Sequence, residues 1–253
     1  MVQSEAQIDK KKEYVETLRL TNSITVKVLY EDRYLMAIDK PSGLLVAPAH
    51  WDKTGRNLML MLREGLEKGV PWARRRHLRF IANIHRLDAE TSGLLLLAKN
   101  RPVLAQMTKR FEERKVSKLY YALVDGVLAK DNFTVNEPIA EHPKHRGLMA
   151  VNRIQGRQSI TNFQVVERFK KHTLLSVEPV TGRTHQIRVH LAHVGHPVVA
   201  DTIYNRIGKF SEDDRLALHA ARLEFKHPFL HTSVSVEAPI PKEFEKMLSL
   251  LRQ

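Results

Sequence analysis

The 253-residue sequence contains no cysteine. That excludes a disulfide framework, thiolate zinc and iron–sulfur sites, and a cysteine nucleophile. It suits a reducing compartment. Long apolar runs are also missing. The longest, such as Leu94-Leu95-Leu96-Leu97-Ala98, fall far short of the ~20 residues of a membrane-spanning helix. The start, Met-Val-Gln-Ser-Glu and then Lys10-Lys11-Lys12-Glu13, lacks the apolar core of a signal peptide. A cytoplasmic protein with no membrane partner is expected. Glycine-rich phosphate loops, Gly-x-Gly-x-x-Gly, Gly-x-Ser-x-Gly and His-Glu-x-x-His patterns are absent. Nucleotide cofactors, a serine-hydrolase elbow and a zincin site are therefore not expected. His190, His193 and His196 recur every three residues, but no Asp or Glu lies between 179 and 200, so no metal site is expected there.

Acidic residues are outnumbered. The 41 Lys and Arg against 28 Asp and Glu leave a net charge of +13. Such an excess points to a polyanionic partner. It is also concentrated: residues 53–86 hold nine Lys or Arg against Glu64 and Glu67, a local +7. At the centre stands Trp72-Ala73-Arg74-Arg75-Arg76-His77-Leu78-Arg79. A basic run beside an aromatic suits phosphate contact plus stacking, which makes Arg74, Arg75 and Arg76 candidate nucleic-acid contacts. A solvated loop would read the same way.

Strand signals dominate the chain. Ile24 to Leu29 alternates, Tyr34 to Ile38 is extended, and Asp39-Lys40-Pro41-Ser42-Gly43 has the chemistry of a turn. Asn57 to Leu66 patterns as a short helix. Phe80 to Ile84 and Leu94 to Ala98 read as strands. Asn100 caps a helix with Pro102 in its first turn and Leu104, Met107 and Phe111 on one face. A strand over 119–124 follows, then a polar surface hairpin over 136–158 and a strand pair over 163–177. Thr184, as N-cap, opens a helix to Val194 with Ile187, Leu191 and Val194 facing the core, followed by late strands and a terminal helix after Pro241. Strands come in adjacent pairs and do not alternate with helices, which predicts an α+β fold with a largely antiparallel, mixed sheet flanked by helices and loops. Residues 1–23 read as an N-terminal extension, and 24–253 as one catalytic domain.

Two segments carry the candidate chemistry. His85-Arg86-Leu87-Asp88, followed by Glu90-Thr91-Ser92-Gly93, places a carboxylate in a turn between extended segments. A structural ion pair or an Asx-turn accounts for the same residues, yet turns on rigid scaffolds often carry function. Thr181 to His193 sets His185 and Arg188 at i, i+3 on the helix. Arg188, at the border of core and solvent, calls for a carboxylate or phosphate partner. A solvent-exposed basic helix fits equally.

Taken together, these motifs resemble the RluA-type pseudouridine synthases. His-Arg-Leu-Asp-x-x-Thr-Ser-Gly-Leu at 85–94 looks like the family's catalytic motif. Asp39-Lys40-Pro41-Ser42-Gly43 is similar to its Asn-Lys-Pro-x-Gly, with Asp for Asn, and Lys118-Leu119-Tyr120-Tyr121-Ala122 to its Lys-x-Tyr-x-Ala. Thr181 to His190 matches Thr-Gly-Arg-x-His-Gln-Ile-Arg-x-His, and Gly195-His196-Pro197 with Asp201, then Leu218-His219-Ala220 with His227-Pro228, follow in the same order. The likeness spans roughly residues 24–240.

The resemblance implies isomerisation of uridine to pseudouridine within ribosomal or transfer RNA, by a monomer without metal or small-molecule cofactor. By that pattern Asp88 is the catalytic carboxylate, attacking C1′ or removing the C2′ proton. Tyr120 stacks on the uracil and helps take the C5 proton. Arg188 pairs with Asp88, Ile187 packs against the flipped base, and Arg86 fills the gap in the RNA stack. Arg183 and His185 join the substrate-binding set. Several relatives carry an N-terminal S4-type domain. The ~23 residues before the first strand are too few for one, so the basic stretch 67–80 is expected to share in RNA docking. A non-catalytic RNA-binding protein is the rival reading, and a DNA-binding protein lacks any helix-turn-helix or zinc-finger signal.

Overall fold

The computed structural model describes residues 17–48, 57–145, 147–205 and 215–253. In chain order come β1 (Thr17–Arg19), β2 (Thr25–Glu31), β3 (Leu35–Lys40), α1 (Leu58–Glu67), α2 (Pro71–Arg75), β4 (Ala82–Asn83), β5 (Ser92–Ala98) and α3 (Arg101–Glu112). They are followed by β6 (Val116–Asp125), β7 (Asn132–Asn136), β8 (Ile139–Glu141), β9 (Met149–Val151), β10 (Ile160–Arg168), β11 (His172–Pro179) and α4 (Gln186–His193). β12 (Leu218–Lys226), β13 (Ser233–Glu237) and α5 (Lys242–Leu251) come last. One sheet runs β1-β2-β3-β5-β12-β6-β11-β10-β7, with β13 on β12 and β4 on β5, while β8 and β9 form a separate hairpin. Among these pairings only β5 with β12 is parallel. This is the α+β, largely antiparallel architecture expected from the pairing of strands along the chain.

β5 is buried along its whole length because both faces are covered. Leu94 and Leu96 pack with Val103 and Met107 of α3, and Leu95 and Leu97 pack with Leu58 and Leu62 of α1 and with Trp72. The alternation of side chains across a strand thus splits one leucine run between two cores. Asn57 and Asn100 cap α1 and α3 by accepting from Leu60 N–H and Val103 N–H. A third core joins α4 and α5 to β6 and β11. Gly93 lets β5 begin against β12. Its φ is +106°, and a Cβ there would stand 2.3 Å from the Ala220 carbonyl oxygen, so no other residue fits. Ser92 Oγ bonds His219 Nδ1 at 2.9 Å across the same junction.

Three expectations need correction. The sheet starts inside the stretch read as an extension: β1 pairs with β2, and Leu18 is fully buried. Phe80 to Ile84 yields only the two-residue β4. The run around Trp72 is neither a stacking platform nor a loop. It is the helix α2, and Trp72 is 3% exposed. The indole lies against Gly65 of α1, where a Cβ would sit 2.4 Å away, and its N–H donates to the Arg19 carbonyl at 3.1 Å. Arg76 turns inward and donates to Glu31 at 2.8 Å, and Lys99 binds the same carboxylate at 2.8 Å. The residues of this run left facing solvent are Arg74, Arg75, His77 and Arg79. The aromatic was pulled into the core because burying an indole outweighs presenting it.

Trp72→Ala is therefore expected to destabilise the fold by about 3–5 kcal/mol, read as a lowered urea midpoint. Arg75→Gln should leave that midpoint within about 0.5 kcal/mol.

Candidate active site

The Asp88 turn is held from three sides. His85 accepts from the Leu96 N–H at 3.0 Å and stacks on Phe111 at 4.9 Å, which ties the turn to β5 and α3. Burial, reinforced by the charge of Lys118, pushes this imidazole down to about 3, so it is neutral. From below comes the turn after β3. Lys40 Nζ donates to the carbonyls of Pro41, Leu44 and Ala89 at 2.8, 2.9 and 2.9 Å. Ser42 Oγ donates to the Glu90 carbonyl at 2.6 Å, and Gly43 N–H to the Ala89 carbonyl at 2.8 Å. Lys40 is wholly buried. Burial brings its ammonium down to about 7, against the pull of Asp88, Glu90 and Asp39. The sequence marked this segment as a turn and gave Lys40 no part in the site. The available signal was a lysine inside an apolar Pro-Ser-Gly turn.

From the third side comes α4. Arg188 was placed at the border of core and solvent, but its side chain is 1% exposed. Its Nε and Nη2 donate to Asp201 Oδ2 and Oδ1 at 2.7 and 2.8 Å, and Nη1 donates to Asp88 Oδ2 at 3.3 Å. Glu90 lies 3.9 Å from the same Nη1. Burial works against the Arg188 charge, but the hydrogen bonds and charge of Asp201, with help from Asp88, raise the guanidinium above its ordinary value. Burial likewise works against the Asp201 carboxylate, and Arg188 still brings it below the usual range. Asp201 is thus the main partner of Arg188, a role the sequence reading missed because 13 residues separate the two.

α4 begins differently from expectation. Its N-cap is His185 in the left-handed region, at φ +54°, and not Thr184. No side chain caps the helix; Gln186 instead ties its start to the preceding turn, its Oε1 accepting from Arg183 N–H at 3.0 Å and from the Thr181 hydroxyl at 2.7 Å. Ile187 and Leu191 are buried, whereas Val194 is exposed. His190 faces inward between Thr161 and the Glu137 carbonyl, and His196 bonds the Asp125 carbonyl. These rings serve the fold.

The turn in His185 brings its ring to the site. Nε2 lies 4.0 Å from Asp88 Oδ1, and Nδ1 lies 2.7 Å from the Tyr204 hydroxyl. Tyr204 oxygen already accepts from Met149 N–H at 3.0 Å, which leaves its own hydrogen free to go to Nδ1. Burial lowers the His185 pKa. A neutral ring that accepts from Tyr204 at Nδ1 carries its proton on Nε2, facing Asp88. Tyr204 also lies beneath the Arg188 guanidinium, 5.2 Å from Cζ to ring centroid. Tyr120 is half-buried on β6, and burial together with the Asp88 charge raises its phenol pKa. Asp88, Tyr120, His185 and Arg188 therefore converge, and Ile187 lies buried in the core beside Arg188 on α4. Arg86 stands exposed beside them, and Arg183 is half-buried with Nε donating to the Gln158 carbonyl at 3.3 Å. Arg74 and Arg75 lie apart on α2, and Arg76 is spent on Glu31. No group of three or more His, Cys, Asp or Glu suited to a metal occurs among the described residues.

Two measurements check this arrangement. In Tyr204→Phe the Nδ1 partner is lost, so ring-nitrogen NMR of His185 should change from a single Nε2–H tautomer to a mixture, at a stability cost of about 1 kcal/mol. Unfolding at Lys40 takes up a proton from about pH 7 upward into the ordinary lysine range, so stability there rises with pH. Lys40→Met should flatten that rise, read as urea midpoints at pH ~7 and pH ~9.5.

Comparison with known proteins gives a consistent result. Residues 34–193 match the family model described as RNA pseudouridylate synthase. The chain is 37% identical to ribosomal large subunit pseudouridine synthase D of Pseudomonas aeruginosa, over 92% of this chain and 74% of that one. It is 35% identical to ribosomal large subunit pseudouridine synthase C of Vibrio parahaemolyticus, over 97% and 76%. Among solved structures, human RNA pseudouridylate synthase domain containing 4 superimposes with a TM-score of 0.72 at 26% identity, covering 89% of this chain and 92% of the other. Such coverage, together with the motif order, shows that the chain belongs to the RNA pseudouridylate synthase family, in its RluA-type branch, and is an isomerase acting on RNA.

Proposed function

We infer that this enzyme makes pseudouridine in large-subunit ribosomal RNA, with Asp88 as the essential carboxylate acting on a flipped-out nucleotide. The observation that carries this reading is the asymmetry of the two carboxylates on Arg188. Asp201 is fully buried and saturated with donors, whereas Asp88 keeps 22% of its side chain open to solvent. Asp88 is the one placed to meet a substrate. The target atoms of a stacked nucleotide are out of reach, so the base must leave the stack, at a cost of a few kcal/mol. Arg86, exposed two residues before Asp88, is suited to occupy the gap, and Ile187 to pack against the extruded base.

The isomerisation balances internally. The N1–C1′ bond breaks, the uracil rotates, C5 bonds to C1′, C5 loses a proton and N1 gains one. No oxidant, reductant or group donor enters. Asp88 acts at the ribose, by attack on C1′ or by removal of the C2′ proton. Arg188 Nη1 orients Asp88 Oδ2 through its 3.3 Å hydrogen bond, and His185 Nε2 stands 4.0 Å from Oδ1. Tyr120 stacks on the base. Its phenol is held protonated in part by the Asp88 charge. Once Asp88 is esterified or protonated that charge is gone and the phenol gives up its own proton to solvent more readily, which leaves an oxygen able to take the C5 proton. The relatives named for the large ribosomal subunit support ribosomal over transfer RNA, and with it action in the cytoplasm.

Asp88→Asn should fold with an unchanged urea midpoint and form no pseudouridine. Mapping total RNA from cells with and without the gene should show loss of pseudouridine in large-subunit ribosomal RNA. Loss confined to transfer RNA would overturn the substrate, and turnover by Asp88→Asn would overturn the mechanism.

A further inference from the structure

Beside the Asp88 site lie four cations that no carboxylate pairs among the described residues. Lys118 and Tyr120 sit two residues apart on β6 and so share a face. Lys118 Nζ donates to the Thr181 carbonyl at 3.1 Å, and a Cβ on Gly182 would stand 3.9 Å from it. The next residue, Arg183, reaches the Gln158 carbonyl, which brings Arg157 alongside. Arg114, just past the end of α3, completes the group in the left-handed region at φ +59°. None of the four makes an ion pair among the described residues, although Glu113 and Glu137 nearby pair with Lys115 and Arg153.

Electrostatics shows how crowded the group is. Burial and the charge of Arg114 push Lys118 down to about 8. Burial, then Arg157 and Arg114, lower Arg183. A fold gains no stability from gathering like charges, so such a group points to an anion that arrives from outside. The scaffold under Arg157 is rigid. Its N–H donates to the Ile139 carbonyl at 2.9 Å, and its carbonyl accepts from the Ile139 N–H at 3.0 Å. The preceding Gly156 is enclosed, since a Cβ would stand 2.2 Å from the Asn152 carbonyl oxygen.

We propose that Arg114, Lys118, Arg157 and Arg183 form a phosphate-binding clamp that grips the RNA backbone beside the nucleotide presented to Asp88. Planar guanidinium groups bind phosphodiester oxygens in pairs. The clamp continues the Tyr120 face of β6 and leads into α4, so a backbone held there enters the site from the side of Arg183 and His185. This rests on the reading of Asp88 as the reacting centre. It also divides the labour of RNA binding, leaving Arg74 and Arg75 on α2 as a separate docking surface.

The test uses the full chain and a uridine-containing RNA hairpin, with affinity measured across a series of salt concentrations. In the triple variant R114Q/R157Q/R183Q the slope of log affinity against log salt should fall by about two, at ~0.7 per lost phosphate contact. Affinity at ~0.1 M salt should drop at least tenfold. Arg222→Gln, whose side chain already pairs with Glu224 and Glu237, should leave the slope unchanged. The triple variant should melt at the same temperature as the parent or higher, because like charges are removed; a lower Tm would mark these residues as structural. An unchanged slope overturns the clamp. If the parent makes pseudouridine while the slope stays unchanged, the clamp falls and the synthase reading stands. If the slope falls while the parent makes none, the clamp stands and the reading of Asp88 falls.

Discussion

A guanidinium with 1% of its side chain exposed must find a matched anion or lose more in desolvation than any contact returns. Arg188 finds it in Asp201, through a two-point pair at 2.7 and 2.8 Å that never meets solvent. That pair uses Nε and Nη2 and leaves Nη1 aimed at Asp88. The position of the Asp88 carboxylate is thus inherited from an ion pair buried behind it. Asp201 extends its influence further, because its Oδ1 also accepts from Ile203 and Tyr204 N–H. This seats the Tyr204 ring beneath Arg188 and its hydroxyl on His185. One buried carboxylate organises two of the groups that face Asp88.

The opposite wall is built from backbone. Lys40 spends all three ammonium donors on carbonyls, one of them Ala89 beside Asp88. The same turn hands Ser42 and Gly43 to the carbonyls of Glu90 and Ala89. Beyond the turn, Gly93 lets β5 close onto β12, and Ser92 is pinned by His219. The Asp88 turn is clamped between a buried ion pair and a buried lysine, so its geometry is set before any substrate arrives. Preorganisation of this kind is the form in which a protein stabilises developing charge most effectively.

The net charge of +13 resolves into distinct populations. Arg76 and Lys99 are consumed by Glu31 to fasten α2 and the end of β5 to the β2 corner. Arg188 and Lys40 are buried parts of the site. Arg74 and Arg75 remain open on α2. Arg114, Lys118, Arg157 and Arg183 crowd together without an ion pair among the described residues. A composition count sees all of these alike, although only the last two groups are free to meet an RNA backbone.

Much was legible in the chain itself. The Asp88 turn, the caps Asn57 and Asn100, the paired strands and the motif order are local patterns, and local patterns follow from side-chain period and backbone preference. They were enough to name the family, and the resemblance singled out Asp88, Tyr120 and Arg188 as candidates. What the chain concealed were matters of partner and depth. Trp72 beside three arginines looks like a stacking platform until α1 offers Gly65 as its seat. Arg188 looks half-exposed on a helical wheel until Asp201 takes it inside. His185 looks like a helix residue until a left-handed backbone turns it toward Asp88 and Tyr204 sets its tautomer. Sequence specifies which groups are present and on which face. Only the tertiary fold decides which distant group satisfies a buried charge, because that choice depends on segments far apart in the chain being brought within hydrogen-bond reach.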